Sequence, residues 1–599
     1  MDVTIREASD GMGTALQAWT RALERTASIG RDPAVILPTL VEAVAQRLGT
    51  APALLADEQQ LTYAALAERA HRYARWALAE GVTPGDVIGL LMPNGPDYVA
   101  LWLGLTRVGA VVSLLTPTLL GDSLAHAVHL AAPKHLIVAG ELDAAARAAL
   151  GDQPTLRRWA HGTDCGGAPR VELAAGSLSG APLSPDESRI PALRDRALLI
   201  YTSGTTGLPK AAQISHRRML QWSLWFAGMM NTGPSDRLYN CLPMYHSVGG
   251  IVAVGSMLVG GGSVIIRKRF SLRRFWDDIT DSRCTLFQYI GELCRYLATS
   301  APHPREREHT LRLCCGNGMR ADVWERFQER FAIPRILEFY AATEANFSLY
   351  NCEGRRGAIG RVPPFLAHRL PIVLVRVDAA TGEPMRGADG LCIRCGADEP
   401  GEALSEIQES ANPASRFEGY TDAAASDRKV LRSVLSAGDA WYRSGDLLRR
   451  DRAGYFYFVD RIGATFRWKG ENVSTTEVAE VIASCPGVME AVVYGVQVPG
   501  ADGRAGMAAI VVDGDFDPAG LRNRLREQLP DYARPLFLRV LRRIETTGTF
   551  KPRVQEYAAA GFDPAVIADP LFVDDRDHGA FIPLDAAAFA RIQACAHKW

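Results

Sequence analysis

At 599 residues, with 47% hydrophobic and 22% charged residues, the chain has an ordinary globular composition and is long enough for at least two packed domains. Its 66 basic and 67 acidic residues leave a formal charge of -1, which excludes bulk attraction to nucleic acid or anionic lipid and makes any anion site local. The 11 cysteines include the adjacent Cys314 and Cys315 and one C-x-x-C at Cys392 and Cys395; with no second pair at zinc spacing and no secretory leader, they read as reduced thiols of a cytoplasmic protein.

In chain order, the β-branched run VIGLLM at Val87 to Met92 predicts a buried strand. The apolar stretch Tyr98 to Leu120 carries Arg107 and Pro117, so it reads as a buried helix followed by a buried strand rather than a membrane span. LIVA at Leu136 to Ala139 is a further strand, and the Gly-, Ser- and Pro-rich tract from Gly162 to Pro185 is expected to be a long surface connection. The apolar stretch Ser247 to Ile266 is broken by Gly260-Gly261-Gly262 and ends in the strand SVIIR at Ser263 to Arg267. Alternation of such strands with Ala-, Leu- and Arg-rich helices predicts α/β architecture with mostly parallel sheets. From about Asp460 a compact C-terminal segment is expected, with strands at Ala491 to Val496 and Met507 to Val512 and a helix near Leu521 to Gln528. No repeat and no transmembrane span is expected; peripheral lipid contact by an amphipathic helix stays open.

The strongest local motif is YTSGTTGLPK, from Tyr201 to Lys210, directly after the apolar run ALLI. The strand end thus delivers Thr202, Ser203, Thr205 and Thr206 as donors, Gly204 and Gly207 as flexible backbone able to wrap a phosphate, and Lys210 as a positive charge. The G-x-x-x-x-G-K-[ST] spacing is absent, so a P-loop kinase or GTPase is excluded on its own motif.

With FYAATEAN at Phe339 to Asn346, DRIGATFRWKGENVSTTEV at Asp460 to Val478, GRAGMAA at Gly503 to Ala509 and TGTFKPR at Thr547 to Arg553, the chain resembles the AMP-forming acyl-CoA synthetase (adenylate-forming) superfamily. The likeness is greatest to its very-long-chain acyl-CoA synthetase or fatty acid transport protein branch, and it runs from about Leu61 to the C-terminus. It implies a large N-terminal domain of two α/β subdomains (residues 1–459), binding AMP and acid, and a small mobile α+β domain (residues 460–599). It also implies the substrates ATP and coenzyme A, a Mg2+ ion, and a reaction in which a carboxylate attacks the α-phosphorus of ATP.

That reaction needs two anions brought together and the departing pyrophosphate stabilised. By the resemblance, Thr343 and Glu344 contact the α-phosphate and the magnesium, Tyr340 stacks on adenine, and Gly316, Asn317 and Gly318 lie along it. Asp446 in YRSGDL would hold the ribose hydroxyls together with Arg461, and His246 in LPMYHSVGG would stand beside the acid. Lys551 would reach the reacting anions during adenylation and then be withdrawn by rotation of the small domain. The turn Arg461-Ile462-Gly463-Ala464 would be the hinge, and Trp468, Lys469 and Gly470 would line the thiolation face. Taken singly, each of these residues has an ordinary structural explanation; Trp468, for example, suits domain-interface packing.

Relatives commonly read G-A-T-E-G-N and R-x-G-D-T-F where this chain has Ala341, Ala345 and Ala464, and an N-T-N where it has Thr116-Pro117-Thr118. The departures fall on the acid-binding half. A methyl at Ala341 discriminates by about 1 to 3 kcal/mol if it narrows a packed wall. Ala341 thus points to a narrower or differently shaped acid, while the whole-chain resemblance to that branch implies an acyl-CoA synthetase for a hydrophobic, long-chain fatty acid. The alternatives are an adenylating enzyme of the same branch that activates nitrite for transfer to an amine, and a non-enzymatic fatty acid transport protein.

Overall fold

The computed structural model describes residues 13–594, apart from 152, 154, 164–166, 189, 203–208, 346, 379–380, 409–416, 464, 470, 502, 548–550 and 577. The chain forms two compact units, one of residues 1–370 and 407–430 and the other of residues 371–406 and 431–599.

In the first unit a sheet runs in the order Arg157–His161, His135–Ala139, Val87–Leu91, Val111–Leu114, Arg196–Thr202 and Lys210–Ser215. Its pairings are parallel except the last, which is antiparallel. A second sheet places Leu286–Ile290, Leu313–Asn317 and Ile336–Ala341 side by side in parallel, so three strand ends open on one edge. Helix Pro96–Arg107 is buried except at Asp97 and is followed by the buried strand Val111–Leu114, as its apolar composition predicts. Arg107 is tolerated there because its Nε lies 2.9 Å from Glu42.

The stretch from Ser247 resolves into a wide-turn helix, Val248–Gly255, then Ser256–Gly260 and the strand Ser263–Ile266. Such π-helical turns cost regular hydrogen bonding and recur at functional sites. Among the described residues no helix is long and apolar enough to cross a membrane. One expectation is corrected. The tract from Gly162 to Pro185 contains helix Val171–Gly176, because Val171 and Ala175, four residues apart, share one face and bury it in the main core.

The first helix, Ala15–Thr26, crosses helix His216–Met230 so closely that a Cβ on Gly228 would lie 2.5 Å from the Ala22 backbone. Substitution at Gly228 would force the helices apart and disturb the face that carries Arg218.

The second unit contains an antiparallel array, Ile372–Val375, Gly401–Glu406, Ala440–Arg450 and Tyr455–Arg461. It also holds a five-stranded sheet that includes Val488–Gln497 and Arg504–Val512, with helices Thr475–Ala483 and Pro518–Gln528. Both helices start where their caps dictate: Ser474 accepts from the Glu477 N–H, and Asp517 precedes a proline at the first turn. This sheet and its helices share a separate apolar core, consistent with the compact C-terminal segment read from the sequence.

Candidate active site

Strand Arg196–Thr202 ends with Thr202 opposite Lys210 at one end of the first sheet. Ser203, Gly204, Thr205, Thr206 and Gly207 lie outside the described residues. Tyr201 turns its hydroxyl into the sheet, 2.7 Å from the Ala127 carbonyl and 2.8 Å from Ser113 Oγ, and burial pushes its phenol up to about 12.

Beside Thr202 stands Tyr420, which the sequence reading missed. Its segment, residues 407–430, returns to the first unit; Tyr420 bridges Ala212, and its carbonyl accepts from Gln213 at 2.7 Å. The Tyr420 hydroxyl donates to the Glu344 carboxylate and accepts from Thr202, while the Lys210 ammonium lies 5.7 Å from its ring centroid. Burial, then the adjacent Glu344 charge, raise the phenol far above its ordinary value. It therefore stays protonated, a fixed donor to Glu344.

Thr343 and Glu344 follow strand Ile336–Ala341 in a turn held from behind. Arg218, buried on helix His216–Met230, donates to the carbonyls of Thr343 and Glu344 at 3.3 and 3.4 Å. Its Nε lies 3.6 Å from Glu418, which accepts from the Ser215 N–H at 2.8 Å and the Ser215 hydroxyl at 2.5 Å. Thr343 Oγ1 is 3.3 Å from Ser247, the neighbour of His246, and Lys429 Nζ is 3.9 Å from Glu344 Oε1. Thr202, Lys210, His246, Thr343 and Glu344, far apart in sequence, are thus joined through Tyr420, Arg218, Ser247 and Glu418.

On the neighbouring strand end, Gly316 has no room for a side chain, since a Cβ would lie 2.2 Å from the Tyr289 carbonyl oxygen. The side-chain oxygen of Asn317 is buried without a hydrogen-bond partner among the described residues, an acceptor left for a ligand group. Tyr340 sits 5.8 Å from the Phe347 ring. His246 is half-buried against Tyr245 and lines a narrow apolar cleft with Tyr98, Trp102, Met244 and Ile251. Ala341 packs at the margin of the same core.

The remaining candidates belong to the second unit. Asp446 and Arg461 are cross-strand partners, with Arg461 Nε 3.3 Å from Asp446 Oδ1. Gly463, two residues on, has φ +86°, a left-handed value that favours glycine. Trp468 is buried in the C-terminal core, and Lys469 Nζ pairs with Asp531 at 2.6 Å; Gly470 lies outside the described residues. Lys551 is exposed, on a turn where its carbonyl accepts from the Thr547 N–H at 2.8 Å.

No group of three or more His, Cys, Asp or Glu side chains that could cage a metal occurs among the described residues. Glu344 alone suits Mg2+, which is bound through one or two carboxylates together with water and substrate phosphates. The nine described cysteines are free thiols.

Donors at the ends of parallel strands, a restrained carboxylate and an adjoining apolar cleft are the parts of an adenylate-forming enzyme. The chain belongs to the AMP-binding enzyme family, whose pattern matches residues 41–397, with the AMP-binding enzyme C-terminal domain matching residues 477–551; it is an AMP-forming ligase. It is 42% identical over 567 residues to long-chain fatty acid transport protein 1 of Mus musculus, covering 93% of this chain and 87% of that one. It is 39% identical to the medium/long-chain-fatty-acid–CoA ligase FadD6 of Mycobacterium tuberculosis, covering 91% and 89%. Among solved structures, the anthranilate CoA ligase AuaEII in complex with anthranoyl-AMP superposes with a TM-score of 0.75 at 19% identity, covering 89% of this chain and 99% of that one. ATP-bound MatB from Rhodopseudomonas palustris gives 0.72 at 23%, covering 87% and 98%. At these identities the two structures speak for the fold.

Proposed function

We propose that the protein activates a long-chain fatty acid in two steps. The fatty carboxylate attacks the α-phosphorus of ATP, giving an acyl adenylate and pyrophosphate; the CoA thiolate then attacks the acyl carbon, giving acyl-CoA and AMP. The observation that carries this reading is the network in which the Tyr420 hydroxyl joins Thr202 to Glu344, with Lys210 over the Tyr420 ring, while Thr343 is linked through Ser247 to the apolar cleft at His246. The names of the 39–42% identical relatives favour a long-chain acid over nitrite.

In this reading Glu344 holds Mg2+, which would neutralise charge on the leaving pyrophosphate. Lys210, Thr202 and the residues from Ser203 to Gly207 cradle the phosphates. Tyr340 and the Gly316–Asn317–Gly318 segment receive the base, and Asp446 with Arg461 receives the ribose. Lys551, on a mobile domain beginning near residue 460, approaches the reacting anions; after adenylation the chain turns about Arg461 to Ala464 and presents Trp468, Lys469 and Gly470 to CoA. A cytoplasmic location with peripheral lipid contact suits an amphiphilic substrate.

A pyrophosphate-release screen with fatty acids, aromatic acids and nitrite tests the reading. Release with long-chain acids, together with AMP, is expected. Release with nitrite alone would replace the substrate assignment, and ADP with phosphate would overturn the chemistry.

A further inference from the structure

Two residues before Tyr340, on the same strand, Glu338 is a carboxyl group that the scheme above leaves unused. It is 1% exposed, and donors surround it: the Tyr289 hydroxyl 2.5 Å from Oε2, the Met319 N–H 3.1 Å from Oε1, and the Gly318 N–H. Burying an ionisable group with no cation beside it costs several kcal/mol in order of magnitude, whereas an apolar side chain would pack in this sheet without that cost. A local requirement must offset it.

That requirement is the backbone of the base-lining segment. Tyr289, Gly316 and Glu338 are register neighbours on three adjacent parallel strands. Because Gly316 has no side chain, the Tyr289 ring lies across it; a Cβ there would meet Tyr289 Cδ2 at 2.5 Å and Cγ at 2.6 Å. The Tyr289 hydroxyl thereby reaches Glu338. On the next two residues the chain turns sharply, with Gly318 at φ +79°, which aims the N–H groups of Gly318 and Met319 inward. Its other side is equally close, since a Cβ on Gly291 would lie 1.8 Å from the Gly318 carbonyl oxygen. Only an acceptor arriving from the adjacent strand can satisfy those two N–H groups.

We propose that Glu338 is a positioning residue for the adenine base: its carboxyl group latches the Gly318 and Met319 N–H groups, and so fixes the Gly316–Gly318 edge against which the base lies. The inference rests on the reading of that edge as the base site. The latch is indifferent to ionisation. Desolvation pushes the carboxyl up to about 8, and in the neutral form its O–H donates to Tyr289 Oη while its other oxygen still accepts from the loop N–H groups. Glutamine can reproduce that pattern, with its amide NH2 facing Tyr289 and its carbonyl facing the loop. Methionine, of similar length, cannot.

The test compares Glu338→Gln, Glu338→Met and the parent by KM for ATP, KM for the fatty acid, AMP binding by calorimetry, and melting. For Glu338→Met, about a tenfold rise in KM for ATP and in Kd for AMP is expected, the size of one or two buried N–H groups losing their acceptor. The KM for acid should stay within about twofold and Glu338→Gln should stay near the parent, because the acid lies away from this edge. A folded Glu338→Met with parental ATP parameters, or one in which both KM values rise together, would overturn the proposal. Should Glu338→Met fail to fold, Glu338→Asp decides, since its carboxylate is one methylene short of the loop: an ATP-specific loss supports the latch and unchanged ATP kinetics overturns it. If the parent itself does not bind AMP, the base-site reading fails rather than the latch.

Discussion

The two units hold their candidate residues in opposite ways. In the first, the Glu344 side chain is 10% exposed and bonded to Tyr420, while the Arg218 side chain behind it is 7% exposed and bonded to the carbonyls of the turn that carries Glu344. In the second, Lys551 stands exposed on a turn and the Arg461 side chain is 55% exposed. A charge buried among fixed partners loses hydration but keeps its position, which suits stabilising a transition state; an exposed cation such as Lys551 keeps more of its hydration, which suits a group that must arrive and leave. On the proposed reading this is a division of labour: Glu344 is held in place before substrate binds, and Lys551 brings its charge to the adenylation step.

The sharpest way to break that comparison is Lys551→Ala. Adenylation should fall by about three orders of magnitude, of the size seen when a transition-state charge partner is removed, while a supplied acyl adenylate should still be converted to thioester. Equal loss in both half-reactions, measured separately, would place Lys551 in both steps and end the idea of a withdrawn cation. Next in size, Glu344→Gln should lower kcat/KM for MgATP by about a hundredfold and raise the Mg2+ concentration giving half-maximal rate. An unchanged Mg2+ dependence would move the metal elsewhere.

A smaller effect tests prior organisation. Tyr420→Phe removes one hydroxyl bonded to both Thr202 and Glu344, and about a tenfold loss in kcat/KM for ATP is expected from one charge-assisted hydrogen bond, with no change in melting beyond a few degrees. A parental rate would mean that Glu344 is positioned by the turn alone. Ala341→Gly should favour longer or bulkier acids over shorter ones by roughly tenfold if about 1.4 kcal/mol of crowding is relieved, with KM for ATP unchanged. Overlapping acid-length profiles would shift attention to Thr116 to Thr118.

A separate effect is on stability. Glu338 has an ordinary value of 4.5 and is raised to about 8 in the fold. Between those values the unfolded chain gives up the proton that the folded chain retains, so folding loses stability as pH rises from about 5 to about 8. Glutamine does not titrate, so the melting temperature of Glu338→Gln relative to the parent should improve across that window. A difference independent of pH would mean that the group ionises alike in both states.

Much of this was legible in the sequence because it is local. The strands around Val87, Leu136 and Val264 follow from short apolar runs, and the Tyr201 to Lys210 motif begins at the end of the strand that the ALLI run predicts. Tyr420, Glu418, Lys429 and Arg218 were missed because their importance is created by a chain return: residues 407–430 leave one unit to complete the other, and no local pattern marks that. The one signal was Glu-Gly-Tyr at Glu418 to Tyr420, a glycine turn between two side chains that both enter the site. Glu338 was hidden differently. A single carboxylate in a strand reads as solvent-facing, and only the three-strand register shows Tyr289 reaching it across Gly316.

The central proposal, that a fatty carboxylate is joined to AMP with Lys551 as the last cation, is tested most directly by exchange of labelled pyrophosphate into ATP without CoA. Exchange in the parent should require both a long-chain fatty acid and Mg2+, and it should vanish in Lys551→Ala. Exchange that is independent of the acid, or that survives in Lys551→Ala at the parental rate, would contradict the account.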